Sequence, residues 1–226
     1  YYRFTSGSHV SATGWPRALP VGQVVAARFA VVSCSNYPAG FFHVYREVSH
    51  QDVDAVLHLG DYIYEYSADG YASDRAEEFG RVSDPATEIV SLPDYRRRYA
   101  QYRTDNNLQA AHAAHPFIVV WDDHEVANNT WREGAENHQP ETEGSFDERK
   151  AAAVQAWYEW LPVRPPASEL DIIYRHFNYG DLLDLFMLDT RVIGRDEQNT
   201  YPDFVNGGSI DVEQARAAFT DSNREL

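Results

Sequence analysis

The chain has 226 residues, of which 43% are hydrophobic and 14% aromatic, enough apolar material to bury one sizeable core. Its 19 basic and 35 acidic residues give a formal net charge of -16, and such a surface repels the phosphate backbone of nucleic acids. No apolar run approaches the roughly 20 residues of a membrane span, and the single cysteine excludes an internal disulfide.

The first part of the chain contains a linker-like segment and then three predicted elements. Residues 1–21 begin like a strand and continue with Ser, Gly and Pro, which is typical of the end of a preceding module followed by a linker. Residues 24–32 are rich in β-branched side chains and predict a strand, whereas residues 40–50 carry apolar side chains at helical spacing. A second strand is predicted over residues 54–59, where a Gly-Asp pair ends it.

The middle of the chain alternates polar loops with stronger patterns. A polar, irregular stretch over residues 65–93 predicts a long surface loop. Aromatic side chains recur near a period of 3.6 over residues 92–115 and predict a helix. Residues 116–121 form the third predicted strand, a second polar loop covers residues 128–145, and a strong helix covers residues 146–161, after which a proline follows.

The last third of the chain predicts a β-hairpin, with strands over residues 172–178 and 182–188 and a turn at Tyr179-Gly180-Asp181. A helical stretch follows it. Because strands alternate with helices before this hairpin, the order of elements favours a layered α/β fold with a mixed sheet over a purely parallel one.

Side chains that can bind a metal ion follow each of the three predicted strands. Cys34 follows the first strand, Asp61 and Tyr64 the second, and Asp123 and His124 the third. The ligand sites of α/β proteins lie outside the carboxyl ends of the strands, so we expect the three segments to converge. Thiolate, carboxylate, phenolate and imidazole groups together favour a metal site over a proton relay alone. The acidic composition fits either plain solubility or an affinity for hard divalent cations, which prefer carboxylates.

Asp61 and Tyr64 form the first candidate pair. Gly60 allows a sharp turn after the strand, so that the Asp61 carboxylate is placed at the strand end, where its two oxygens can bridge two metals. Tyr64 can return to the same centre, and a phenolate ligand indicates a hard trivalent ion such as ferric iron. The alternative is an Asp that shapes the turn and a Tyr that belongs to the core.

The acidic run after the third strand forms the second candidate group. Asp122 and Asp123 repel each other, which raises one pKa unless a cation lies between them. His124 is interpreted as a general acid or a phosphate contact, because its unperturbed pKa lies near neutrality. One of the two aspartates can instead cap the N-terminus of a helix, and Asn128 and Asn129 are weaker candidates for further oxygen ligands.

The remaining candidates have simpler alternatives. A thiolate at Cys34 can bind iron or zinc, although a lone buried cysteine is more often a small apolar side chain. His112 and His115 are expected at the surface, and Asp189 and Arg191 either orient the site or form a buried ion pair. Four arginines form a basic patch that fits substrate phosphate or, more simply, solvated salt bridges. The patch comprises Arg96, Arg97, Arg98 and Arg103.

Five motifs occur along the chain in this order: SCSN (residues 33–36), GDYIYE (60–65), YRRRYAQYRTD (95–105), WDDHEVANN (121–129) and LDTR (188–191). With these motifs the sequence resembles the PhoD-like alkaline phosphatases, a branch of the calcineurin-like metallophosphoesterases. Within that family it looks most similar to the secreted enzymes known as phospholipases D that share the alkaline phosphatase D fold. The resemblance extends over nearly the whole chain.

The resemblance implies a four-layer αββα metallophosphoesterase sandwich. Residues 1–21 would be the end of a preceding β-sandwich module and a linker, and residues 22–226 the N-terminal part of the catalytic domain. The resemblance also implies a secreted metallohydrolase with ferric iron and calcium. Such an enzyme hydrolyses phosphomonoesters, phosphodiesters or, as a phospholipase D, phospholipids, with a bound hydroxide as the nucleophile.

The resemblance also implies a role for each candidate residue. Cys34 and Tyr64 would ligate iron, and Asp61 would bridge iron and calcium. Asp123 matches the metal-binding Asn of the wider superfamily and would hold the second metal. His124 would contact the phosphate or protonate the leaving oxygen.

Two features depart from the family's pattern. The Gly-Asp-x-His-type motif that supplies the family's remaining ligands does not occur after His176, and the chain starts at Tyr1 without a Met or a signal peptide. We therefore expect the N-terminal part of a nicked or truncated enzyme, completed by a companion C-terminal fragment of the same precursor. Its other partner would be a small-molecule or lipid phosphate ester, with no nucleic acid and no stable membrane insertion.

Two other kinds of function remain open at the level of the sequence. A non-catalytic calcium-binding module would use the same acidic residues without the chemistry of His124. An extracellular, ring-rich interaction domain would explain the aromatic content, but Trp121, Trp157 and Trp160 fall in elements that are predicted to be buried. The rings of Tyr37, Phe41 and Phe42 next to the cysteine either form an apolar entrance for a lipid or belong to the core.

Overall fold

The computed structural model describes residues 1–166, 172–199, 205–206 and 209–220. The first residues form a small antiparallel pair of strands, β1 (Thr5–Ser6) and β2 (His9–Val10), around a turn at Gly7. The backbone N–H of Trp15 donates to the carbonyl of Ala113 at 3.1 Å, which attaches this amino-terminal segment to the body of the protein.

Three short apolar runs form a parallel sheet at the centre of the fold. Its strands are β3 (Phe29–Val32), β4 (Ala55–His58) and β5 (Phe117–Val119), which are hydrogen-bonded in that order. The register pairs Phe29 with Ala55 and Val56 with Phe117, so the three strands end at one edge of the sheet. β4 is buried along its whole length because it is the central strand, which explains its unbroken apolar pattern.

The first strand is shorter than its sequence pattern predicts. Residues 24–28 precede the ladder, because Val24 donates its N–H to the Asp181 carboxylate at 2.9 Å and Asp181 donates its own N–H to the carbonyl of Gly22 at 3.0 Å. The start of the apolar run is therefore tied to the turn of the hairpin formed by β6 and β7 (described below) instead of to β4.

Four helices pack in two pairs. The helix α1 (His43–Ser49), between β3 and β4, packs against α4 (Asn106–Ala114), and α3 (Leu92–Tyr102) packs against α6 (Phe146–Trp160). The Trp157 ring of α6 is fully buried, with its centroid 5.2 Å from that of Trp121. The core therefore lies between the sheet and the paired helices, and the two tryptophans are buried as predicted.

The single helix predicted over residues 92–115 is wrong, because the chain breaks into α3 and α4 at Asp105. The Asp105 side chain accepts the backbone N–H groups of Asn107 and Leu108 at 2.9 and 3.1 Å, and so caps a new helix. Arg81 pairs with the other oxygen of the same carboxylate at 2.8 Å in a buried ion pair. A periodic aromatic pattern crosses this break without revealing it.

The long polar segments contain short elements of their own. A helix of one turn, α2 (Ala76–Phe79), lies in the first predicted loop, and another, α5 (Pro140–Glu143), lies in the second. The predicted hairpin is present as β6 (Arg175–Tyr179) and β7 (Leu183–Met187). The remaining elements are β8 (Val205–Asn206), β9 (Ser209–Ile210) and α7 (Val212–Thr220).

The architecture is a mixed α/β fold, in which parallel and antiparallel sheets occur together with helices. Within the described residues, no helix has both the length and the apolar character needed to cross a membrane. The three loops that follow β3, β4 and β5 meet at the carboxyl edge of the parallel sheet, and they hold the candidate site.

Candidate metal centre

The loops after β3 and β4 are joined by backbone hydrogen bonds beyond the ends of the strands. The N–H of Cys34 donates to the Gly60 carbonyl at 3.1 Å, and the N–H of Ser35 donates to the Asp61 carbonyl at 2.8 Å. Cys34 and Asp61 both adopt left-handed backbone conformations, with φ of 58° and 55°. Such conformations are unfavourable for side chains other than glycine, so the surrounding contacts must hold them in place.

Gly60 brings the loop after β4 against the loop after β5. Its φ is 105°, and a Cβ atom at this position would lie 2.2 Å from the backbone nitrogen of Asp122. Only glycine combines this conformation with so close an approach between two backbones. The sharp turn that the sequence predicts at Gly60 is therefore present, and it also sets the distance between two of the three loops.

Glu125 also connects the same two loops, because its side chain accepts hydrogen bonds from both. Its buried carboxylate accepts backbone N–H groups from Asp61 at 3.0 Å, Tyr62 at 2.6 Å and Asp122 at 2.9 Å. Burial raises the pKa of Glu125 to about 8, and the charge of Asp61 adds to this effect, whereas the three N–H donors oppose it. The sequence analysis assigned no role to Glu125, because nothing in its spacing shows that one carboxylate receives three backbone donors.

Asp61 lies at the middle of the site and is nearly inaccessible, with 5% of its surface exposed. One oxygen, Oδ2, accepts a hydrogen bond from the Tyr64 hydroxyl at 3.0 Å, and the other, Oδ1, is buried without a hydrogen-bond partner among the described residues. Burial raises the pKa of Asp61, and the charges of Asp123 and Asp122 raise it further against the opposing effect of His124. A buried carboxylate oxygen without a donor is an atom that a bound cation would satisfy.

Asp61, Asp123 and His124 each offer a ligand atom, and these atoms all lie within 4.8 Å of one another. The structure thus brings together residues from two of the three predicted strand ends. It also places His124 at a distance suited to a metal ligand, as well as to the phosphate contact that the sequence suggests. Two carboxylates and an imidazole suit a divalent or trivalent cation.

His124 is held by Glu65, which the sequence analysis also missed. The Nδ1 of His124 lies 2.7 Å from a carboxylate oxygen of the fully buried Glu65 and donates to it, and the ring stacks on Tyr64 at 4.3 Å between centroids. Burial by itself lowers the pKa of His124, but Glu65, followed by Asp123 and Asp61, raises it to about 9. A carboxylate that fixes one imidazole nitrogen leaves Nε2 as the nitrogen for a ligand or a proton.

Arg191 binds both aspartates of the acidic run. Its Nε lies 2.5 Å from Asp122 Oδ1 and its Nη2 lies 3.3 Å from Asp123 Oδ1. Asp189 accepts the backbone N–H of Arg191 at 2.9 Å and so fixes the turn that presents the guanidinium. Of the two roles left open for these residues, the ion pair is present, with the buried Asp123 and the partly exposed Asp122 as partners of Arg191; a role in orienting the site stays a prediction. The helix-cap interpretation of the aspartates is wrong, because residues 122–129 form turns.

Asn129 acts through its backbone instead of its side chain. Its N–H donates to Asp123 Oδ2 at 2.6 Å, while its side-chain amide is directed to Glu136. The backbone N–H of Asn128 donates to Glu65 at 2.7 Å. The pair therefore supports two acidic residues of the site through backbone N–H groups.

Cys34 and Tyr64 lie beside this group without belonging to it. The Cys34 thiol is exposed and interacts with the side chains of Asp61 and Tyr64. Partial burial raises the pKa of Cys34, with a further contribution from Asp61, and burial together with Asp61 and Cys34 raises the pKa of Tyr64. Both groups are therefore neutral until a cation stabilises their ionised forms. Thiol, phenol, carboxylate and imidazole groups can all ligate a metal ion.

The secondary candidates behave differently from one another. His115 is buried and donates from Nε2 to the Val48 carbonyl at 3.0 Å, and the ring of the partly buried His112 stacks on Phe117 at 3.7 Å, so the surface interpretation of these histidines is wrong. Arg96 and Arg97 form the solvated salt bridges that were the simpler reading, with Glu159 and Asp84. Arg98 is buried and donates to backbone carbonyls, and Arg103 donates to the Tyr62 hydroxyl at 3.1 Å.

Comparisons of the sequence and of the fold with known proteins each find a match. The family model for PhoD-like phosphatases matches residues 29–226. Over 206 residues the chain is 43% identical to alkaline phosphatase D of Bacillus subtilis (strain 168). This match covers 88% of the present chain and 34% of the Bacillus protein. A solved structure described as "Structure of PhoD" matches with a TM-score of 0.76 and 42% identity, and covers 87% of this chain and 37% of that one. The chain thus spans about a third of the length of these relatives.

Proposed function

The chain belongs to the PhoD-like phosphatase family, and on that premise we propose that it hydrolyses phosphate esters at a two-metal centre on the carboxyl edge of its parallel sheet. The observation that carries the proposal is the cluster of Asp61, Asp123 and His124, whose ligand atoms lie within 4.8 Å of one another. The buried Asp61 oxygen without a partner supports the presence of a cation there. Because the chain spans about a third of its relatives, the activity of the whole protein is part of the proposal.

The proposed ligands are those that the family resemblance implies. Cys34 and Tyr64 would hold ferric iron, Asp61 would bridge iron and calcium, and Asp123 would hold calcium, which prefers carboxylate oxygens. When bound, the two cations neutralise charge on the phosphoryl oxygens and supply an activated water as the nucleophile. Tyr64 must release the proton that it now shares with Asp61, so loading of the site is expected to release protons.

His124 is proposed to act on the phosphate or on the leaving oxygen. Its Nδ1 is occupied by Glu65, so Nε2 is the position from which a proton is donated to the departing alkoxide. The stacked Tyr64 ring and the buried Glu65 fix the plane of the imidazole before the substrate arrives. Arg191 binds Asp122 and Asp123 and so fixes the positions of both carboxylates next to His124.

Several wider features belong to the same proposal. The described α/β core is taken as the N-terminal part of a four-layer αββα domain over residues 22–226, with residues 1–21 as the end of a preceding β-sandwich module and a linker. The remaining ligands would come from a companion C-terminal fragment of the same precursor, and the enzyme would be secreted. These statements rest on the family and on the α/β fold of the matched structure.

The substrate class includes phosphomonoesters, phosphodiesters and, as a phospholipase D-type activity, phospholipids. Of the three rings near the cysteine, Tyr37 and Phe42 are buried in the core, whereas Phe41 is 53% exposed. Phe41 lines a cavity of about 500 Å³ together with Cys34 and Asn36. An exposed ring beside the proposed iron ligand supports an apolar entrance to the site.

Metal content and turnover test the proposal together. We expect plasma mass spectrometry of the purified, iron- and calcium-loaded protein to find about one iron per chain with calcium beside it, together with hydrolysis of a phosphomonoester. Asp61→Asn should remove both metals and the turnover, whereas Asp181→Asn at the hairpin turn should remove neither. Calcium binding without iron and without turnover would instead identify a non-catalytic calcium-binding module and would refute the proposed enzyme.

A further inference from the structure

A group of tyrosines extends from the candidate metal centre to the surface. We call Tyr64, Tyr66 and Tyr71 the tyrosine shelf. Tyr64 stacks on His124, with ring centroids 4.3 Å apart, and its ring lies 6.5 Å from Tyr66 and 6.4 Å from Tyr71. Tyr71 is 64% exposed. The shelf therefore begins at a proposed metal ligand and ends on a ring that faces solvent.

Tyr64 is close to parallel with each of its ring neighbours, whereas Tyr66 and Tyr71 are inclined to each other by 50°, with centroids 6.0 Å apart. The plane of Tyr64 is inclined by 24° to Tyr71, by 26° to Tyr66 and by 27° to His124. A large ring that is mostly exposed at the end of such a group offers one uncovered face. An aromatic group bound there gains stacking as well as apolar contact, whereas a saturated group of the same size gains apolar contact alone.

The loop that carries the shelf is held in place by its own contacts. The N–H of Ala68 donates to the Ala86 carbonyl at 2.8 Å, and the side-chain amide of Asn36 donates to the Tyr71 carbonyl at 3.3 Å. Gly70 permits the packing of Tyr66, because a Cβ at Gly70 would lie 2.6 Å from the Tyr66 Cβ. The backbone of Tyr71 is thus attached to the loop that also contains Cys34, and its ring lies 6.4 Å from that of Tyr64.

The electrostatic surroundings restrict what the shelf can receive. The rings of Tyr64 and Tyr66 both contact His124, with centroids 4.3 and 5.3 Å away. His124 bonds to the Glu65 carboxylate at 2.7 Å, and its ligand atom lies within 4.8 Å of carboxylate oxygens of Asp61 and Asp123, so the shelf adjoins a group of acidic side chains. A group that carries further negative charge is therefore repelled from the shelf, even though a phosphoryl group would be attracted to the cations of the loaded centre.

We propose that the tyrosine shelf receives the alcohol part of the phosphate ester and selects esters whose alcohol is a planar, uncharged aromatic ring. The inference rests on the proposed phosphate-ester hydrolysis and adds the class of leaving group to it. Tyr71 acts in this scheme as a specificity-determining residue, which contacts the substrate and takes no part in the chemistry at phosphorus.

Binding of non-hydrolysable phosphonates tests the proposal without any need for turnover. The probes are phenylphosphonate, cyclohexylphosphonate and methylphosphonate, titrated by calorimetry into the iron- and calcium-loaded protein. We expect phenylphosphonate to bind about tenfold more tightly than methylphosphonate, with cyclohexylphosphonate between them. A carboxylate on the phenyl ring should abolish the preference.

Two substitutions at one position separate the ring from its hydroxyl. Tyr71→Ala should abolish the preference for the phenyl group, and Tyr71→Phe should keep it. Tyr1→Ala is the matched control, because Tyr1 is also an exposed ring but packs on Trp15, whose N–H bonds to Ala113 in the helix that precedes β5. This control should bind all three probes like the unmodified chain.

The possible failures have different meanings. Equal affinity for the phenyl and methyl probes, or a preference that survives Tyr71→Ala, would overturn the shelf while leaving the phosphate site intact. Equal affinity for the phenyl and cyclohexyl probes would overturn the selection for planarity. If no phosphonate binds to the loaded protein, the proposed metal-centred phosphate site is refuted, and the shelf proposal is refuted with it.

Discussion

Among replacements of a positive-φ glycine by alanine, Gly60→Ala is expected to damage the candidate site most. The new Cβ would lie 2.2 Å from the Asp122 nitrogen and 2.5 Å from the Asp122 Cβ. Ordinary contact distances between such atoms are about 3.5 Å or more, so the two loops must separate by about 1 Å. A neighbouring flexible side chain cannot relieve this contact, because the closest atom belongs to the backbone.

The magnitude follows from two separate effects. Holding an alanine at a φ of 105° costs about 1–3 kcal/mol, and forcing an extra methyl group into a packed site costs about another 1–3 kcal/mol. We therefore expect Gly60→Ala to lower the free energy of unfolding by about 4 kcal/mol, the middle of that range. Separation of the loops would also stretch the Glu125–Asp122 hydrogen bond of 2.9 Å, so metal affinity should fall roughly 10–100-fold, as when outer contacts of a metal site are lost.

Gly80→Ala provides the matched control for this prediction. Gly80 has a φ of 65°, but an added Cβ there meets nothing within 4 Å, so only the backbone conformation is penalised, by about 1 kcal/mol. Urea denaturation of the two variants and of the unmodified chain measures the difference, and titration with calcium and iron measures the metal affinity. The reasoning is refuted if Gly60→Ala loses no more stability than Gly80→Ala, or if its metal affinity is unchanged.

Three further predictions concern the same region. Cys34→Ala should lower the iron content of the loaded protein while calcium remains, and unchanged iron by mass spectrometry would remove Cys34 from the proposed ligands. A calcium chelator should abolish hydrolysis, and renewed calcium should restore it, because oxygen ligands hold calcium in a labile way; hydrolysis that persists in the chelator would contradict the calcium part of the centre. Burial lowers the pKa of His58 to about 3. As the pH falls below about 6.5, the unfolded chain takes up a proton on this histidine and the folded chain does not. The free energy of unfolding should therefore fall by about 1.4 kcal/mol per pH unit between about pH 6.5 and pH 3. Urea denaturation at pH 7, 6 and 5 should show that His58→Asn lowers the slope of unfolding free energy against pH by about 1.4 kcal/mol per pH unit, which corresponds to one proton. An equal slope in the variant would show that His58 is not the group responsible.

The sequence predicted the parts of the site that depend on strand ends and missed those that depend on contacts between loops. Cys34, Asp61 and His124 each follow an apolar run, so their convergence could be inferred from the rule for α/β sheets. Glu65 and Glu125 carry no such signal, because their roles consist of hydrogen bonds to residues about 60 positions away in the chain. A single sequence indicates which residues follow a strand, but it does not indicate which backbone N–H groups will face a given carboxylate.

The fold shows the same division between local and long-range information. The order of strands and helices and the position of the hairpin could be predicted, because each depends on periodicity and on turn residues within a short window. The break between α3 and α4 could not, because Asp105 starts the second helix through a side-chain cap that Arg81 holds from 24 residues away. Similarly, residues 24–28 have a strand-like pattern, but Val24 donates to Asp181 at the hairpin and Arg28 donates to the Asp54 carboxylate.

The balance of charge at the site provides an argument for cations that is independent of any single residue. Among the described residues, five carboxyl groups lie in the cluster or are hydrogen-bonded within its loops, against three side chains near them that can carry positive charge. The carboxyl groups are Asp61, Asp122, Asp123, Glu65 and Glu125, and the positive groups are Arg191, Arg195 and His124. Burial of so many acids beside one another raises the pKa of Asp61 and of Glu125. A raised pKa means that the site disfavours the ionised form of these carboxyl groups. A bound cation would offset the repulsion among the acids and would favour the ionised forms of Tyr64 and Cys34, so the concentration of acidic groups that is unfavourable without a cation becomes favourable with one.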